Sequence, residues 1–127
     1  MMIPSEVLEK KSKSMITNLF LLNFLRMIIS IFVMVQKGEI IGCYKIMYLY
    51  HLSFKESSRA QIESARIRFN MREHGFGTQL IRHSIERGRK RGCAVFQLTS
   101  NKQRIKAKKF YDKLGLIASH EGYKFYY

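Results

Sequence analysis

The 127-residue chain has the length of one domain, and its composition is that of a folded, strongly basic protein. Hydrophobic residues make up 46% of the chain and aromatic residues 13%, which excludes an intrinsically disordered protein. The formal net charge is +14, from 23 Lys and Arg against 9 Asp and Glu. Such a surface attracts anions, and nucleic acid, an acidic membrane or a phosphorylated ligand all fit this charge.

The two cysteines and the first residues indicate neither a metal site nor a secreted protein. Cys43 and Cys93 are far apart, without the Cys or His neighbours that a zinc site or a redox pair requires. Residues 6–13 mix acidic and basic side chains and lack the cationic start and small-residue cleavage site of a signal peptide. We therefore expect a cytoplasmic protein.

Residues 15–35 are apolar enough to approach the length of a membrane-spanning helix. Asn18, Asn23 and Arg26 interrupt the run, and a central Arg costs about 2.5 to 3.5 kcal/mol on insertion scales. The β-branched run from Ile31 to Val35 is typical of a strand. A buried helix followed by a strand is therefore favoured over a membrane span.

In chain order, the first predicted elements are a helix and a hairpin. Apolar residues recur near helical spacing from Glu6 to Arg26, which predicts a helix. Strand-like runs from Ile31 to Gln36 and from Glu39 to Tyr48 flank the turn Lys37-Gly38. Gly42 marks a bulge or a close approach in the second strand.

The remaining elements alternate between strand and helix, which predicts an α+β or α/β domain around one sheet. The helix after Gly75 has an apolar face and a basic face, and Gly92 is a suitable stop. In order, these elements are a strand Ala60–Phe69, a helix from Gly75 to Arg91, a strand Ala94–Thr99, a helix Ile105–Leu114, and two short strands Leu116–Ser119 and Tyr123–Tyr127.

Residues 72–77 read Arg-Glu-His-Gly-Phe-Gly at the predicted junction of a strand and a helix. Glycine lets the backbone turn sharply, so successive N–H groups can point at one anion, and the helix adds the positive end of its dipole. The pattern is neither the dinucleotide fingerprint Gly-x-Gly-x-x-Gly nor a Walker loop, which needs Gly-Lys-Ser/Thr. By itself, a Gly-x-Gly is as often an ordinary tight turn as a pyrophosphate site.

Residues 107–116 form a second pattern and read Ala-Lys-Lys-Phe-Tyr-Asp-Lys-Leu-Gly-Leu. Together, the two runs resemble the Arg/Gln-x-x-Gly-x-Gly/Ala and Ala-x-x-Phe-Tyr-x-x-Leu-Gly-Phe motifs of the GNAT superfamily of acyl-CoA N-acyltransferases. The two motifs stand at the proper separation, each on the expected element. The resemblance extends from Ile62 to Leu116.

The resemblance implies an α+β fold (α/β, three-layer) with a mixed central sheet that splays open, in a single domain over residues 1–127. Acetyl-CoA would lie in the opening, with no metal. Residues 65–67 would hydrogen-bond the pantetheine as a neighbouring strand does, and the amides of residues 72–78 would hold the pyrophosphate. The implied cofactor-binding residues are Ala65, Arg66, Ile67, Arg72, Glu73, His74, Gly75, Phe76, Gly77, Thr78, Asn101 and Arg104.

The family's chemistry is the attack of an amine on a thioester. An amine with a pKa of about 10.4 is almost wholly protonated at pH 7, so a base must supply the lone pair. Glu63 is the candidate base, because many members carry a glutamate there that acts through water; an ion pair with Arg66 or Lys45 explains Glu63 equally well. Tyr111 matches the family's general acid, with a core aromatic as the alternative. His74 and His83 are expected at the surface.

The region before Val33 departs from the family, because residues 1–30 are shortened or atypical and show no clear first strand. The predicted function is transfer of an acetyl group from acetyl-CoA to a primary amine of a small molecule or protein. A truncated, inactive acetyl-CoA-binding relative is one alternative. A basic nucleic-acid-binding protein is the other, on charge alone. A homodimer is compatible with these patterns, whereas we expect neither a nucleic-acid partner nor a membrane span.

Overall fold

The computed structural model describes residues 15–20, 28–50 and 58–127. The chain divides into two compact units, residues 1–97 and residues 98–127. The first unit contains a five-stranded sheet and a long helix, and the second contains one shorter helix. A single domain over residues 1–127 stays a prediction.

The sheet is mixed, with the strand order β1-β2-β3-β4-β5. The pairs β1–β2, β2–β3 and β3–β4 are antiparallel, and β5 runs parallel to β4. The predicted α+β fold is therefore confirmed. The elements are β1 Met15–Phe20, β2 Ile29–Gln36, β3 Glu39–Tyr50, β4 Ser58–Ile67, a 3-10 turn Phe69–Met71, α1 Phe76–Lys90, β5 Val95–Gln97 and α2 Ile105–Lys113.

The prediction of a helix over Glu6–Arg26 is wrong at Met15–Phe20, which form β1. Met15 pairs with Val35 and Thr17 pairs with Val33 on β2. Spacing cannot distinguish a short apolar strand from a buried helix, and here the ladder with β2 decides the conformation. The expectation that no first strand precedes the hairpin is wrong for the same reason. The other residues of the predicted helix lie outside the described ranges.

The predicted hairpin is confirmed. Lys37 and Gly38 join β2 to β3 with φ angles of 51° and 78°, and positive φ at both positions gives the turn that suits the right-handed twist of the two strands. The pairing register between β2 and β3 shifts after Met34, next to Gly42. A Cβ on Gly42 would lie 2.7 Å from Ile67 Cδ1 and 2.9 Å from the Arg66 carbonyl oxygen. Gly42 therefore allows β4 to approach β3 closely.

Helix α1 covers one face of the sheet, which we call the helix-side face. Leu80, Ile81, Ser84 and Gly88 are the buried residues of α1. A Cβ on Gly88 would lie 3.0 Å from the Ala60 Cβ, so the helix backbone passes close to β4. The buried apolar sheet residues of this face are Phe32, Met34, Tyr44, Ile46, Tyr48, Ala60 and Ile62. On the opposite face, Val33 and Val35 pack with Met15 and Cys43.

A half-buried histidine connects α1 to this core, so the expectation that His83 lies at the surface is wrong. The His83 Nδ1 atom lies 2.7 Å from the hydroxyl of Tyr44, and both rings contact Phe32. Burial, then the charges of Arg87 and Lys90, lower the pKa of His83 below its usual value. Burial also raises the pKa of Tyr44 well above its usual range. A neutral His83 can therefore accept the Tyr44 hydroxyl proton in a hydrogen bond.

The prediction of two closing strands, Leu116–Ser119 and Tyr123–Tyr127, is wrong. Within the described part of the chain these residues join no ladder, and the Ser119 N–H donates locally to the Ile117 carbonyl. Alternating apolar residues favour a strand only where a partner strand satisfies the backbone and covers the side chains. Here the large apolar side chains are exposed, namely those of Ile117, Tyr123, Phe125, Tyr126 and Tyr127.

None of the helices in the described ranges is long and apolar enough to cross a membrane. Much of the apolar stretch 15–35 that suggested a span is instead paired as β1 and β2. The favoured interpretation of residues 15–35 was a helix followed by a strand, and only the strand, β2, is confirmed.

The close approach at Gly42 predicts that Gly42→Ala destabilises the protein by about 1 to 3 kcal/mol, because the new methyl group would meet backbone as well as the Ile67 side chain. Gly122→Ala is the matched control, since a Cβ there has nothing within 4 Å. Urea unfolding of both variants measures the difference. Equal stability of the two variants would contradict the packing at Gly42.

His83 predicts a specific pH dependence of stability. Its folded-state pKa lies below the unfolded value of about 6.5, so the unfolded chain binds the extra proton. The stabilisation is complete above about pH 6.5 and is lost as the pH falls from there through the folded pKa, at up to about 1.4 kcal/mol per pH unit. His83→Gln, which keeps a hydrogen-bond acceptor for Tyr44 but does not titrate, should flatten this part of the stability curve.

Urea unfolding at a series of pH values measures how the stability of each variant depends on pH. His120→Gln, a change at an exposed histidine, is the control. A slope between pH 7 and pH 5 that is the same in wild type and His83→Gln would show that His83 does not contribute.

Candidate active site

The loop between β4 and α1 presents backbone donors at the start of the helix. Glu73 and Gly75 have φ angles of 64° and 82°, which turn the chain sharply into α1. The first hydrogen bond of the helix joins the Gln79 N–H to the Gly75 carbonyl at 3.2 Å. The amides of residues 76–78 precede this bond and have no acceptor within the helix. No acidic side chain lies in the first turn of α1, so its positive end is not neutralised there.

Arg72 anchors this loop to the end of β4. Its Nε donates to the Ile67 carbonyl at 3.1 Å, and its guanidinium lies 5.5 Å from the centroid of the Phe69 ring. His74 is exposed, which confirms the expectation that it lies at the surface. Its Nδ1 atom is 2.6 Å from the Arg72 carbonyl oxygen. A Cβ at Gly75 would meet nothing within 4 Å, which leaves room for a ligand beside the loop. The geometry fits an anion such as a pyrophosphate.

The ladder between β4 and β5 ends before β4 reaches this loop. β4 and β5 pair over only three positions, and the last pair is Gln61 with Gln97. β4 continues to Ile67, where its other edge is still paired with β3 at Gly42. From Ile62 onward, the β4 edge that faced β5 lies outside their ladder. An extended ligand can therefore hydrogen-bond along this edge as a strand would.

A bulge lies in the middle of this open edge. Between Cys43 and Lys45 of β3, the partner on β4 changes from Arg66 to Glu63, so β4 contains one extra residue there. Ser64 occupies the bulge with a φ of 56°. A bulge bends the strand and redirects its groups. Neither Gly nor Pro stands at or next to this position, so the bulge could not be predicted from the sequence.

Glu63 lies on the opposite face of the sheet, directly across from Lys45. Its Oε2 is 3.0 Å from the Lys45 Nζ, and the two side chains are 47% and 34% exposed. The structure thus contains the Lys45 ion pair that was one of the explanations of Glu63. The pair is solvent-accessible and contributes at most modestly to stability. The ion pair leaves Glu63 partly exposed, so it does not prevent a role as a base.

The other predicted residues of the first unit continue from Glu63 along β4 into the loop. Ala65 and Ile67 are half-buried, and Arg66 is exposed. The structure thus places in one unit the candidate base and the strand and loop predicted to bind pantetheine and pyrophosphate. Sequence reasoning missed the paired residues Gln61 and Gln97, whose side chains share a hydrogen bond from Gln97 Nε2 to Gln61 Oε1. Neither glutamine lies in one of the two motifs at residues 72–77 and 107–116.

Tyr111, Asn101 and Arg104 belong to the second unit. Tyr111 lies half-buried on α2, with its ring 5.2 Å from that of Phe110. The Asn101 Oδ1 accepts a hydrogen bond from the Gln103 N–H at 2.9 Å, so this oxygen shapes the turn before α2. Arg104 is the exposed N-cap residue of α2. Their roles stay predictions.

Metal ligands do not cluster in the described ranges, where no group of three or more His, Cys, Asp or Glu side chains could hold a metal ion.

Comparison with known proteins gives the family. The model of the acetyltransferase (GNAT) family matches residues 6–116. The chain belongs to this family. The match includes β1, the strand that the sequence patterns did not reveal, as well as the loop and α2. A search of curated proteins gave no match.

Solved structures share the fold. A transcriptional regulator from Bacillus halodurans C-125 is 39% identical, with a TM-score of 0.75 over 78% of this chain and 66% of that protein. A putative acetyltransferase from Agrobacterium tumefaciens C58 is 21% identical, with a TM-score of 0.73 over 78% and 69%. Glucosamine-6-phosphate N-acetyltransferase from Arabidopsis thaliana is 17% identical, with a TM-score of 0.72 over 80% and 68%. This chain thus spans about two thirds of the length of these proteins.

Gly75 and Gly92 form a matched pair for testing the loop. They lie at opposite ends of α1 with φ angles of 82° and 81°, and a Cβ at either position would meet nothing within 4 Å. Alanine should therefore cost each a similar backbone strain of about 1 to 2 kcal/mol. We expect Gly75→Ala to weaken acetyl-CoA binding about tenfold or more, because relief of the strain rotates the amides at the helix start, whereas Gly92→Ala should bind as the wild type does.

Calorimetric titration with acetyl-CoA and urea unfolding of both variants check this. Equal losses of affinity in both variants would mean that the loop does not hold the ligand.

Proposed function

We propose that this chain transfers an acetyl group from acetyl-CoA to a primary amine of a small molecule or protein. The observation that carries the proposal is the continuity of β4 with the loop before α1. An open strand edge leads directly into a helix start with positive φ at Glu73 and Gly75. One extended ligand with a pyrophosphate at one end fits both features.

In this proposal the amides of residues 72–78 bind the pyrophosphate, and residues 65–67 hydrogen-bond the pantetheine. Acetyl-CoA supplies an activated acyl group as a thioester. The side chain of Arg72 is held by the Ile67 carbonyl, so it fixes the loop where the strand ends. Arg104 and Asn101 are proposed as further cofactor-binding residues.

Glu63 is proposed as the general base, acting through water on the ammonium of the acceptor. Lys45 contacts Oε2 and limits the orientations of the carboxylate, which leaves Oε1 to accept the proton. Because the side chains of Glu63 and Lys45 are partly exposed, a water molecule can bind to the Glu63 carboxylate without a large cost of desolvating either charge. The ion pair and the catalytic role are therefore compatible.

Tyr111 is proposed as the general acid. When the amine attacks the thioester carbonyl, the carbon–sulfur bond breaks and the leaving thiolate takes a proton. A phenol donates an O–H without needing to be ionised at rest. The position of Tyr111 within the second motif supports this assignment.

The acceptor is proposed to be an amine, because several proteins of similar fold are named for the acetylation of amines. The Arabidopsis protein of similar fold is named a glucosamine-6-phosphate N-acetyltransferase, and other similar folds are named aminoglycoside acetyltransferases. These names support amine acetylation for this chain through the fold alone. The cytoplasm is the proposed compartment, and a homodimer is the proposed assembly to test by light scattering.

The decisive experiment measures binding and transfer separately. A ligand at one hundred times its Kd adds about 2.7 kcal/mol to stability, so acetyl-CoA should raise the melting temperature of wild type, Glu63→Gln and Tyr111→Phe alike. In a thiol-release assay over a panel of amines, the two variants should lose about 100-fold or more in kcat. Glu39→Gln, which removes a similar exposed ion-paired carboxylate next to Arg68, is the control.

Unchanged rates in both variants would remove Glu63 and Tyr111 from the mechanism. Acetyl-CoA binding without any transfer would support the inactive relative. Binding to duplex DNA with a steep salt dependence, and none to acetyl-CoA, would support a nucleic-acid-binding protein instead.

A further inference from the structure

The junction at which β4 and β5 separate is closed by a pair of side-chain amides. Gln61 and Gln97 are the last paired residues of the two parallel strands. Gln97 Nε2 donates to Gln61 Oε1, and both side chains are half-buried. Because the two residues are directly opposite each other, this hydrogen bond lies across the point of the opening. We call the two side chains the amide pair.

The amide pair lies on the same face of the sheet as the candidate base. Side chains two positions apart on a strand point to the same face, and Gln61 and Glu63 are two positions apart before the bulge at Ser64. With a rise of about 3.3 Å per residue, the amide pair lies about 7 Å from Glu63 along β4. It is therefore the next side-chain feature beyond Glu63 in the direction away from the loop.

The direction of the ligand follows from the proposed function, on which this inference rests. The pyrophosphate would lie at the start of α1, after the end of β4, and the pantetheine would run back along β4 toward Glu63. The thioester then lies near Glu63, and the acyl chain points toward Gln61. On the helix-side face, α1 passes close to β4 at Ala60, the residue before Gln61, and leaves little space there.

We propose that Gln61 and Gln97 determine the acyl chain length that this site accepts, and that they restrict it to short acyl groups such as acetyl. A longer chain would have to part the two amides or lie against them. Parting them would break the hydrogen bond between two half-buried amides, which apolar methylenes cannot replace. Lying against them would cover the remaining polar atoms of the amides with apolar methylenes, which also costs free energy. An acetyl group ends before it reaches them.

The test compares the affinities of acetyl-CoA and butyryl-CoA, which needs no knowledge of the acceptor. One methylene in a hydrophobic pocket is worth about 10- to 200-fold in discrimination, and butyryl-CoA carries two methylenes more than acetyl-CoA. We expect wild type to bind acetyl-CoA at least about tenfold more tightly than butyryl-CoA, and Gln97→Ala to reduce this ratio to about threefold or less. Gln61→Ala is a second variant with the same expected result, should Gln97→Ala fold poorly.

Gln36→Ala is the matched control, because Gln36 is also half-buried but lies at the β2–β3 turn opposite Glu39. It should keep the wild-type ratio. A general loss of stability weakens both ligands alike and leaves the ratio unchanged, so the ratio separates specificity from folding.

The outcomes distinguish this inference from the proposed function. A wild type that binds acetyl-CoA but discriminates no better than the variants overturns the role of the amide pair and leaves the proposed function standing. A wild type that binds no acyl-CoA of either length overturns both.

Discussion

The short ladder between β4 and β5 is the constraint on which the candidate site depends. Three paired positions are enough to add β5 to the sheet, and after Gln61 β4 continues beside β3 outside that ladder. Because β4 leads through a tight loop into α1, the same strand supplies both the open edge and the approach to the helix start. Gly42 and Gly88 make this arrangement possible, since they let β4 approach β3 and let α1 approach β4.

Sequence reasoning predicted the parts of the fold whose signals are local. The turn at Lys37-Gly38 and the helix between Gly75 and Gly92 depend on backbone conformations that glycine adopts easily, and both are confirmed. β1 could not be predicted, because six apolar and polar residues become a strand only through pairing with β2. The two predicted closing strands show the opposite error. Apolar residues alternate there as in a strand, but in the structure these residues pair with no other strand.

The candidate site shows the same division. The loop residues 72–77 carry a motif, whereas the bulge at Ser64 and the bond between Gln61 and Gln97 arise from register. His83 was predicted to lie at the surface, on a helix with many charged residues. The helix nevertheless directs His83 to the buried hydroxyl of Tyr44, and tertiary packing outweighs the polarity of the adjacent residues.

The exposed aromatic residues near the C-terminal end have a consequence for how copies of this protein behave in solution. The apolar surface of these side chains would favour association between copies; the residues are Tyr123, Phe125, Tyr126 and Tyr127. The net charge of +14 opposes that association, because two strongly cationic molecules repel each other. Dissolved salt weakens the repulsion but not the apolar attraction, since the screening length falls to about 3 Å at 1 M. We therefore expect association between copies of the protein to increase as the ionic strength rises.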